Sequence, residues 1–349
     1  MREPVIFDGH NDLLTALFDK PGDPAEMFAS GLPGHIDLAR AKAGGFGGGF
    51  FAVWIRSPLN IDDLDAEMSQ PQYDIALPPP IPAEQAMPEA MAQISILHRL
   101  EAAGHLRVCT TVDQIETCRT DGVLAAILHF EGAEAIDPDF RALEVFYRAG
   151  LRSLGPVWSR NTRYAEGVPF RYPSTGDIGG GLTDEGRALV RACNRMGIML
   201  DVSHLNEAGF RDLAEVSDKP IVATHSNAHA ICPHARNLTD DQLRIIAESD
   251  GMVGLNFATA FLRPDGQMVK EAPLELMVRH LDHLMSILGE DRVGMGSDFD
   301  GAVVPEGIGD LAGLPNLREA MRAHGYDDAL MEKLCWGNWM ALLRKTWGG

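Results

Sequence analysis

Side chains able to carry charge follow short apolar segments at several separated points of the 349-residue sequence. The first case is FDGHNDLL, in which Asp8, His10 and Asp12 lie two residues apart. Residues two apart on an extended chain point to the same side, so His10 and Asp12 can reach one metal ion. Asp8 is expected either to orient His10 or to pair locally as a buried carboxylate, and both alternatives stay open.

Four more such residues lie at the ends of apolar segments. They are Glu131 in ILHFEGAEAI, His204 in LDVSHL, His225 in VATHSNAHA and Asp298 in GMGSDFDG. Imidazole and carboxylate groups that converge without cysteine are the ligands expected for Zn²⁺ or a similar ion. One histidine after a strand is weak evidence, since such residues are more often packed than ligating. The agreement of several strand ends favours a metal centre, because carboxylates buried together without a cation repel one another.

Eight apolar segments predict the strands that position these residues. They cover 4–7, 46–55, 122–130, 151–158, 197–203, 220–225, 251–257 and 292–298. Most are separated by segments with helical periodicity, which is typical of βα units and a parallel sheet. The sequence therefore predicts a single-domain (β/α)8 TIM-type barrel over 1–349, with the metal site at the C-terminal ends of the strands.

Local helix signals agree with this alternation. Thr239 and Gln242 predict a capping box for a helix that ends before Gly251. A second predicted helix begins after Thr183 and ends at Gly197.

Two long segments interrupt the alternation. The acidic, proline-rich segment 57–90 precedes a helix expected near 84–103 and is interpreted as a lid, an oligomer contact or a surface loop. The segment 159–181 is rich in glycine and carries Arg160, Arg163 and Arg171. Because long loops are more often functional than not, 159–181 is expected to shape a pocket.

Several other motifs favour structural roles. His280 and His283 are expected on an exposed helix face, since the sequence around them has no H-E-x-x-H pattern. His129 is expected in the interior, as packing or behind the metal ligands. The glycine-rich segment 43–51 matches no phosphate-binding motif and is expected to allow close strand packing.

Composition excludes several classes of partner. The formal net charge of −20 argues against nucleic acid and anionic membrane surfaces, which would repel the chain. No apolar run is long enough for a membrane span, and the N-terminal stretch MREPVIFDGH has no signal-like apolar core. Five cysteines without C-x-x-C spacing indicate neither a disulfide framework nor a thiolate zinc site, so a cytoplasmic location is expected.

Taken together, these motifs resemble the renal, or membrane, dipeptidase family. The resemblance rests on DGHND at 8–12, EG at 131–132, DVSH at 201–204, THS at 224–226, RN at 236–237 and GSDFDG at 296–301. It implies a barrel metalloenzyme of the amidohydrolase superfamily that hydrolyses dipeptides with two zinc ions, and it suggests a homodimer. His10, Asp12 and Glu131 are then expected to hold one zinc. Glu131 would bridge to a second zinc held by His204 and His225.

The resemblance also implies roles in substrate binding and proton transfer. Asp298 matches the acid/base carboxylate of the family, and Arg236 matches the arginine that grips the terminal carboxylate of the substrate. Trp158 stands where the family has a histidine that polarises the scissile carbonyl, so Arg160 or the metal is expected to stabilise the oxyanion instead. Phe261 stands where some members have a pocket tyrosine.

The expected reaction is hydrolysis of L-Xaa-L-Xaa and possibly L-Xaa-D-Xaa dipeptides. Two ions roughly 3.5–4 Å apart would lower the pKa of a bridging water, and the resulting hydroxide would attack the carbonyl. Asp298 would serve first as base and then as acid. We hypothesise that Arg160, Arg163 or Arg171 favours acidic substrate side chains.

Three other functions are weighed against a dipeptidase. A related binuclear amidohydrolase could deacylate N-acyl amino acids or open lactams with the same residues. A barrel that has lost catalysis could bind a ligand, although the retained Asp298 argues against it. A phosphate-handling lyase would need a glycine-rich loop and a catalytic lysine, which NFATAFLRPDG does not supply.

Overall fold

The computed structural model describes residues 3–57 and 61–348, and a parallel sheet runs through it. The strands are β1 (Ile6–Asn11), β2 (Phe46–Trp54), β3 (Tyr73–Ile75), β4 (Leu106–Val108), β5 (Leu124–Glu131), β6 (Leu151–Gly155), β7 (Phe170–Tyr172), β8 (Met199–Leu200), β9 (Val222–Ala223), β10 (Met252–Leu255) and β11 (Val293–Met295). Eight of them pair in the order β8-β6-β5-β2-β1-β11-β10-β9. A parallel bridge between Asp201 and Val222 joins the two ends of this order, so the sheet forms a nearly closed barrel.

Helices surround the barrel and alternate with its strands. They are α1 (Leu13–Phe18), α2 (Pro24–Ser30), α3 (Leu38–Gly44), α4 (Ile61–Met68), α5 (Ala83–Ala102), α6 (Val112–Asp121), α7 (Arg141–Arg148), α8 (Asp184–Met196), α9 (Glu207–Val216), α10 (Asp240–Glu248), α11 (Thr259–Leu262), α12 (Leu274–Leu288), α13 (Leu314–His324), α14 (Asp328–Glu332) and α15 (Asn338–Trp347). The predicted (β/α)8 TIM-type fold is confirmed. In the part of the chain that the structure describes, no helix is both long and apolar enough to cross a bilayer.

Each predicted strand overlaps one strand of the barrel, but the last five are shorter than predicted. For β8 and β9 the Asp201 side chain shows the reason, because its Oδ1 accepts hydrogen bonds from the backbone N–H of Ser203 and Thr224 at 3.0 and 2.9 Å. Beyond the ends of β8 and β9, the Asp201 carboxylate thus accepts the hydrogen bonds that a neighbouring strand would otherwise accept. The three-residue strand β4, which pairs with the first half of β5, was not predicted.

The helix boundaries predicted from the sequence for α8 and α10 are confirmed. Thr239 and Gln242 form both hydrogen bonds of a capping box at α10, and α8 lies between the cap Thr183 and a left-handed Gly197. Within the glycine-rich segment, a Cβ at Gly48 would overlap the carbonyl oxygen of Ala125. Close strand packing is therefore the role of this segment, as predicted.

The two long segments contain structure of their own and meet above the barrel. Strand β3 from the first segment pairs antiparallel with β7 from the second. The loop after β10 joins them, since the Tyr73 hydroxyl donates to the Gly266 carbonyl at 2.6 Å and the Met268 N–H donates to the Met68 carbonyl at 2.9 Å. We call the described parts of 61–82, 159–181 and 257–273 the roof.

His280 corrects one prediction, because it is fully buried rather than on an exposed face. Its Nδ1 accepts from the Ala228 N–H at 3.1 Å, and its Nε2 lies 3.0 Å from the Leu262 carbonyl oxygen. The helix α12 turns this ring towards the loops that follow β9 and β10. His283, three residues later, lies 2.8 Å from the Asp240 carboxylate and is partly exposed.

Candidate metal centre

All six predicted ligand and acid/base residues lie together at the C-terminal mouth of the barrel, and all are buried. His10 lies within β1 and Glu131 ends β5. The others lie one to four residues after the ends of β1, β8, β9 and β11, and they are Asp12, His204, His225 and Asp298. The carboxyl ends of parallel strands converge at this mouth, which is why residues far apart in sequence meet here.

The ligand atoms form two groups around one carboxylate oxygen. On one side, Nε2 of His10 lies 3.4 Å from Oδ2 of Asp12 and 3.6 Å from Oε1 of Glu131. On the other side, the same Glu131 oxygen lies 2.9 Å from Nε2 of His204 and 3.4 Å from Nε2 of His225. Each group of three could hold a metal ion.

The chemistry of these donors fits divalent cations. Among the described residues, Nε2 of His10 is buried without a hydrogen-bond partner. Burial raises the pKa of Glu131 well above its usual range, and the nearby Asp12 and Asp298 raise this pKa further. A metal ion between these carboxylates and this imidazole nitrogen would supply positive charge that offsets their burial.

A layer of hydroxyl groups orients the two histidines of the second group. Ser159 Oγ lies 2.9 Å from Nδ1 of His204, and Thr224 Oγ1 lies 2.8 Å from Nδ1 of His225. Asp201 accepts a hydrogen bond from the Thr224 hydroxyl at 2.6 Å. These contacts leave each Nε2 facing the centre. Sequence reasoning missed Ser159 and Thr224 as orienting groups, although Thr224 lies beside His225 in the quoted THS motif.

One buried histidine, His129, and one buried carboxylate, Asp8, lie beneath the proposed metal ligands. His129 has Nδ1 at 2.8 Å from Ser153 Oγ and Nε2 at 3.6 Å from Asp201 Oδ2, and burial lowers the pKa of His129 to about 3. Asp8 accepts from both the N–H and the hydroxyl of Ser297, at 2.6 and 2.8 Å. Of the two alternatives for Asp8, these hydrogen bonds match local pairing as a buried carboxylate.

Asp298 lies in the left-handed region with φ of 61°, at the point where β11 turns into the following loop. Asn256 donates to Asp298 Oδ2 at 2.8 Å, a contact that sequence reasoning did not identify. Burial raises the pKa of Asp298, and Asp12 raises this pKa further. The carboxylate lines the cavity beside the centre, where it can exchange protons with a bound molecule.

Arg236 lies next to the second ligand group. Its Nη2 is 3.3 Å from Nε2 of His204 and donates to the His225 carbonyl at 3.2 Å, while Nη1 donates to Ser226 Oγ at 3.3 Å and to the Ser203 carbonyl. Burial lowers the pKa of Arg236 to about 10, so it carries a positive charge at neutral pH.

A cavity of about 340 Å³ opens between the centre and the roof. Its size is at the low end of the range for small-molecule sites, roughly 300–1,000 Å³. Trp158 and Phe261 both line it, together with Glu131, His204 and Asp298.

The three arginines of the 159–181 segment are bound elsewhere. Arg160 is fully buried and donates to Glu134 Oε1 through Nε at 3.0 Å and Nη2 at 2.7 Å. Arg163 pairs with Glu185 at 2.7 Å, and Arg171 pairs with Asp74 at 2.6 Å. None of them is among the described residues that line the cavity. The structure therefore does not place Arg160 where it could stabilise an oxyanion, because its guanidinium is held by Glu134.

Comparison with known proteins gives a consistent picture. A sequence profile of the membrane dipeptidase family, Peptidase family M19, matches residues 1–347. A metallopeptidase from Rhodobacter sphaeroides, solved with a phosphinate mimic of the dipeptide L-Ala-D-Ala, is 54% identical with a TM-score of 0.97, over 99% of this chain and 100% of its own. The structure of the metallopeptidase dipeptidase AC is also 54% identical with a TM-score of 0.97, over 100% of both chains. Dipeptidase tcpJ of Claviceps purpurea is 28% identical over 97% of this chain and 76% of its own.

Proposed function

Because the chain belongs to the membrane dipeptidase family and is a metallo-dipeptidase, we propose that it cleaves dipeptides with two zinc ions bound at the mouth of its barrel. The observation that carries this proposal is the position of Glu131. Its Oε1 lies within 3.6 Å of Nε2 of three histidines, as expected of a ligand shared by two ions. Zinc is proposed because it accepts imidazole and carboxylate ligands of this kind.

The two ions would share five protein ligands. His10 and Asp12 would hold the first ion, His204 and His225 the second, and Glu131 both. When bound, the ions supply positive charge that polarises the scissile carbonyl and lowers the pKa of water.

Asp298 is proposed to move the proton. Asn256 holds Oδ2 of this carboxylate at 2.8 Å, which leaves Oδ1 to accept a proton from the attacking water. The same oxygen then returns the proton to the leaving amine. The burial of Asp298 keeps bulk water away and helps this carboxylate to hold the proton between the two steps.

Arg236 is proposed to bind the terminal carboxylate of the substrate. The charged guanidinium lies beside His204, and among the described residues its Nε has no hydrogen-bond partner. A planar guanidinium with a free N–H suits a carboxylate. Trp158 and Phe261 would contact the rest of the substrate, since an indole can donate one hydrogen bond but carries no charge.

The substrates are proposed to be L-Xaa-L-Xaa and L-Xaa-D-Xaa dipeptides. The second class is supported by the relative from Rhodobacter sphaeroides, which was solved with a mimic of L-Ala-D-Ala. A cavity of about 340 Å³ is also small for longer peptides.

Metal analysis combined with dipeptide hydrolysis tests this function. We expect about two zinc ions per chain and cleavage that a chelator abolishes. The variant Asp298→Asn should keep its metal but lose roughly 10²–10⁴-fold in kcat, because it cannot carry the proton. Asp291→Asn, at an exposed residue paired with Lys333, is the matched control and should cleave normally. Two bound metals without cleavage of any dipeptide would contradict the proposal and favour a related amidohydrolase.

We propose a cellular compartment from the burial and the free state of the cysteines. All five are buried and unpaired, which supports a reducing compartment such as the cytoplasm. A homodimer stays a prediction of the family resemblance, and light scattering on the zinc-loaded protein would test it.

A further inference from the structure

One wall of the cavity, next to the proposed metal centre, is formed by large apolar side chains. Trp158 lies with its ring centroid 5.9 Å from that of His204, so this wall begins next to a proposed metal ligand. The ring centroids of Trp54 and Phe170 lie 5.1 and 5.6 Å from that of Trp158, and both contacts are edge-on. Phe261 stacks on Phe170 at 6.2 Å with an interplanar angle of 17°.

The roof supplies much of this wall and holds it in place. Phe170 belongs to β7, and its backbone pairs with Ile75 of β3. Met68 and Met268 line the cavity beside it, and the N–H of Met268 donates to the Met68 carbonyl at 2.9 Å. Three separate chain segments thus interlock around one apolar surface, so its shape is set before a substrate arrives.

The residues that line the cavity do not favour an acidic side chain. Among the described residues, no lysine or arginine lines the cavity, whereas six carboxylates do. Asp19 is paired with Arg56 at 2.8 Å, and Arg236, which is not among the lining residues, is assigned to the terminal carboxylate of the substrate. An acidic side chain would therefore find no basic partner among the lining residues and would lose its hydration against the apolar wall.

We infer that this enzyme selects dipeptides with large apolar side chains and discriminates against acidic ones, with Phe170 as a specificity-determining residue. The inference rests on the proposed dipeptidase function and narrows its substrate class. It reverses the sequence-based hypothesis that Arg160, Arg163 or Arg171 favours acidic substrates, because each of these arginines is bound to a protein carboxylate. Removing apolar surface from water provides the selection, and each further buried methylene group strengthens it.

A dipeptide panel on the zinc-loaded enzyme tests the inference. Leucine, phenylalanine, aspartate and glutamate are placed in turn at the first and the second position, with alanine at the other. We expect kcat/KM for the apolar residues to exceed that for the acidic residues by about 10-fold or more at one position at least. Ratios below this value at both positions would overturn the inference. Failure to cleave every dipeptide in the panel would instead refute the dipeptidase function.

Variants of two neighbouring residues test the role of Phe170. Phe170→Ala should lower the apolar-to-acidic ratio, because it removes an aromatic face from the wall. Arg171→Ala is the matched control, since this side chain pairs with Asp74 outside the cavity, and it should keep the wild-type ratio. If Phe170→Ala does not fold, Met268→Ala probes the same wall. An unchanged apolar-to-acidic ratio in a folded Phe170→Ala or Met268→Ala variant would contradict the assignment of this wall as the determinant of specificity.

Discussion

At the scale of single residues, burial shifts the pKa of several titratable groups. Burial raises the pKa of Asp8 to about 6 and lowers that of His129 to about 3. His280 shows the same effect away from the metal centre, where burial lowers its pKa from 6.5 to about 4. The neutral ring is needed there because its Nδ1 accepts a hydrogen bond from the Ala228 N–H.

The neutral state of His280 predicts acid sensitivity of the fold. A lowered pKa means that its contribution to stability is complete above pH 6.5 and is lost as the pH falls towards 4. The full loss is about 3 kcal/mol, of which about 2 kcal/mol appears between pH 7 and pH 5. In His280→Gln, the free energy of unfolding should be lower at pH 7, but its loss between pH 7 and pH 5 should shrink by about 2 kcal/mol. Urea unfolding at the two pH values measures this.

The other buried histidines titrate in both proteins, so their effects cancel in the comparison. His105→Gln, at a half-buried residue after α5, is the control and should keep the wild-type pH dependence. A wild-type pH dependence in His280→Gln would show that His280 does not contribute to the acid sensitivity.

At the scale of elements, the ends of helices and the close approach of strands set the geometry of the mouth. Helix α10 follows the loop that carries Arg236, and its capping box fixes where the helix begins. Strands β1 and β10 approach the end of β9 closely, since Cβ atoms at Gly9 and Gly254 would both overlap the carbonyl oxygen of Thr224. His225, a proposed metal ligand, comes directly after this carbonyl.

The capping box of α10 predicts a moderate loss of stability in Thr239→Ala. The variant removes the hydroxyl that accepts from the Gln242 N–H, which should lower the free energy of unfolding by about 1 kcal/mol. Chemical denaturation measures this loss. Thr120→Ala, at an exposed position inside α6, is the control and should cause no comparable loss. Equal effects in both variants would contradict a capping role.

The packing around Thr224 predicts a severe effect of Gly254→Ala. The added methyl group meets backbone atoms that cannot move aside, so we expect a loss of about 3 kcal/mol in the free energy of unfolding. Gly337→Ala is the control, because its φ of −58° suits any residue and its nearest neighbouring atom is 3.5 Å away. That variant should be as stable as the wild type or about 0.4–1 kcal/mol more stable. Similar melting temperatures for both variants would refute this account of the packing.

At the scale of the whole molecule, the barrel brings buried carboxylates from β1, β5 and β11 to one point. Asp12, Glu131 and Asp298 are each less than 10% exposed. Their mutual repulsion opposes closure of the sheet at its mouth, and bound cations would remove that repulsion. The proposed metals would therefore stabilise the entire fold as well as the site.

Metal removal is accordingly predicted to destabilise the protein. A chelator should lower the free energy of unfolding by roughly 3–4 kcal/mol, as expected for ligands present at 10²–10³ times their Kd. Calorimetry before and after chelation measures the fall in melting temperature, and added Zn²⁺ should restore it. The variant Glu131→Gln, which lacks the proposed bridging carboxylate, should respond much less to the chelator. Equal responses of the variant and the wild type would argue against a bridging role for Glu131.

The sequence by itself determined the barrel and the set of residues at its mouth. Strand order follows from the alternation of apolar and helical segments, and the placement of His10, Glu131 and Asp298 follows from their position at strand ends. Both are consequences of local periodicity and of one general property of parallel barrels. Helix boundaries such as Thr239 and Gly197 were equally local and agreed with the structure.

Only the tertiary structure decided which side chains face the cavity. Arg160, Arg163 and Arg171 looked available in the sequence, but their partners Glu134, Glu185 and Asp74 come from other parts of the chain. His280 was buried by loops that follow two different strands, and β3 with β7 formed a roof from segments that looked irregular. Such contacts join residues far apart in sequence, and no periodic pattern within one segment specifies them. The apolar wall, and with it the proposed substrate preference, therefore became visible only in the folded molecule.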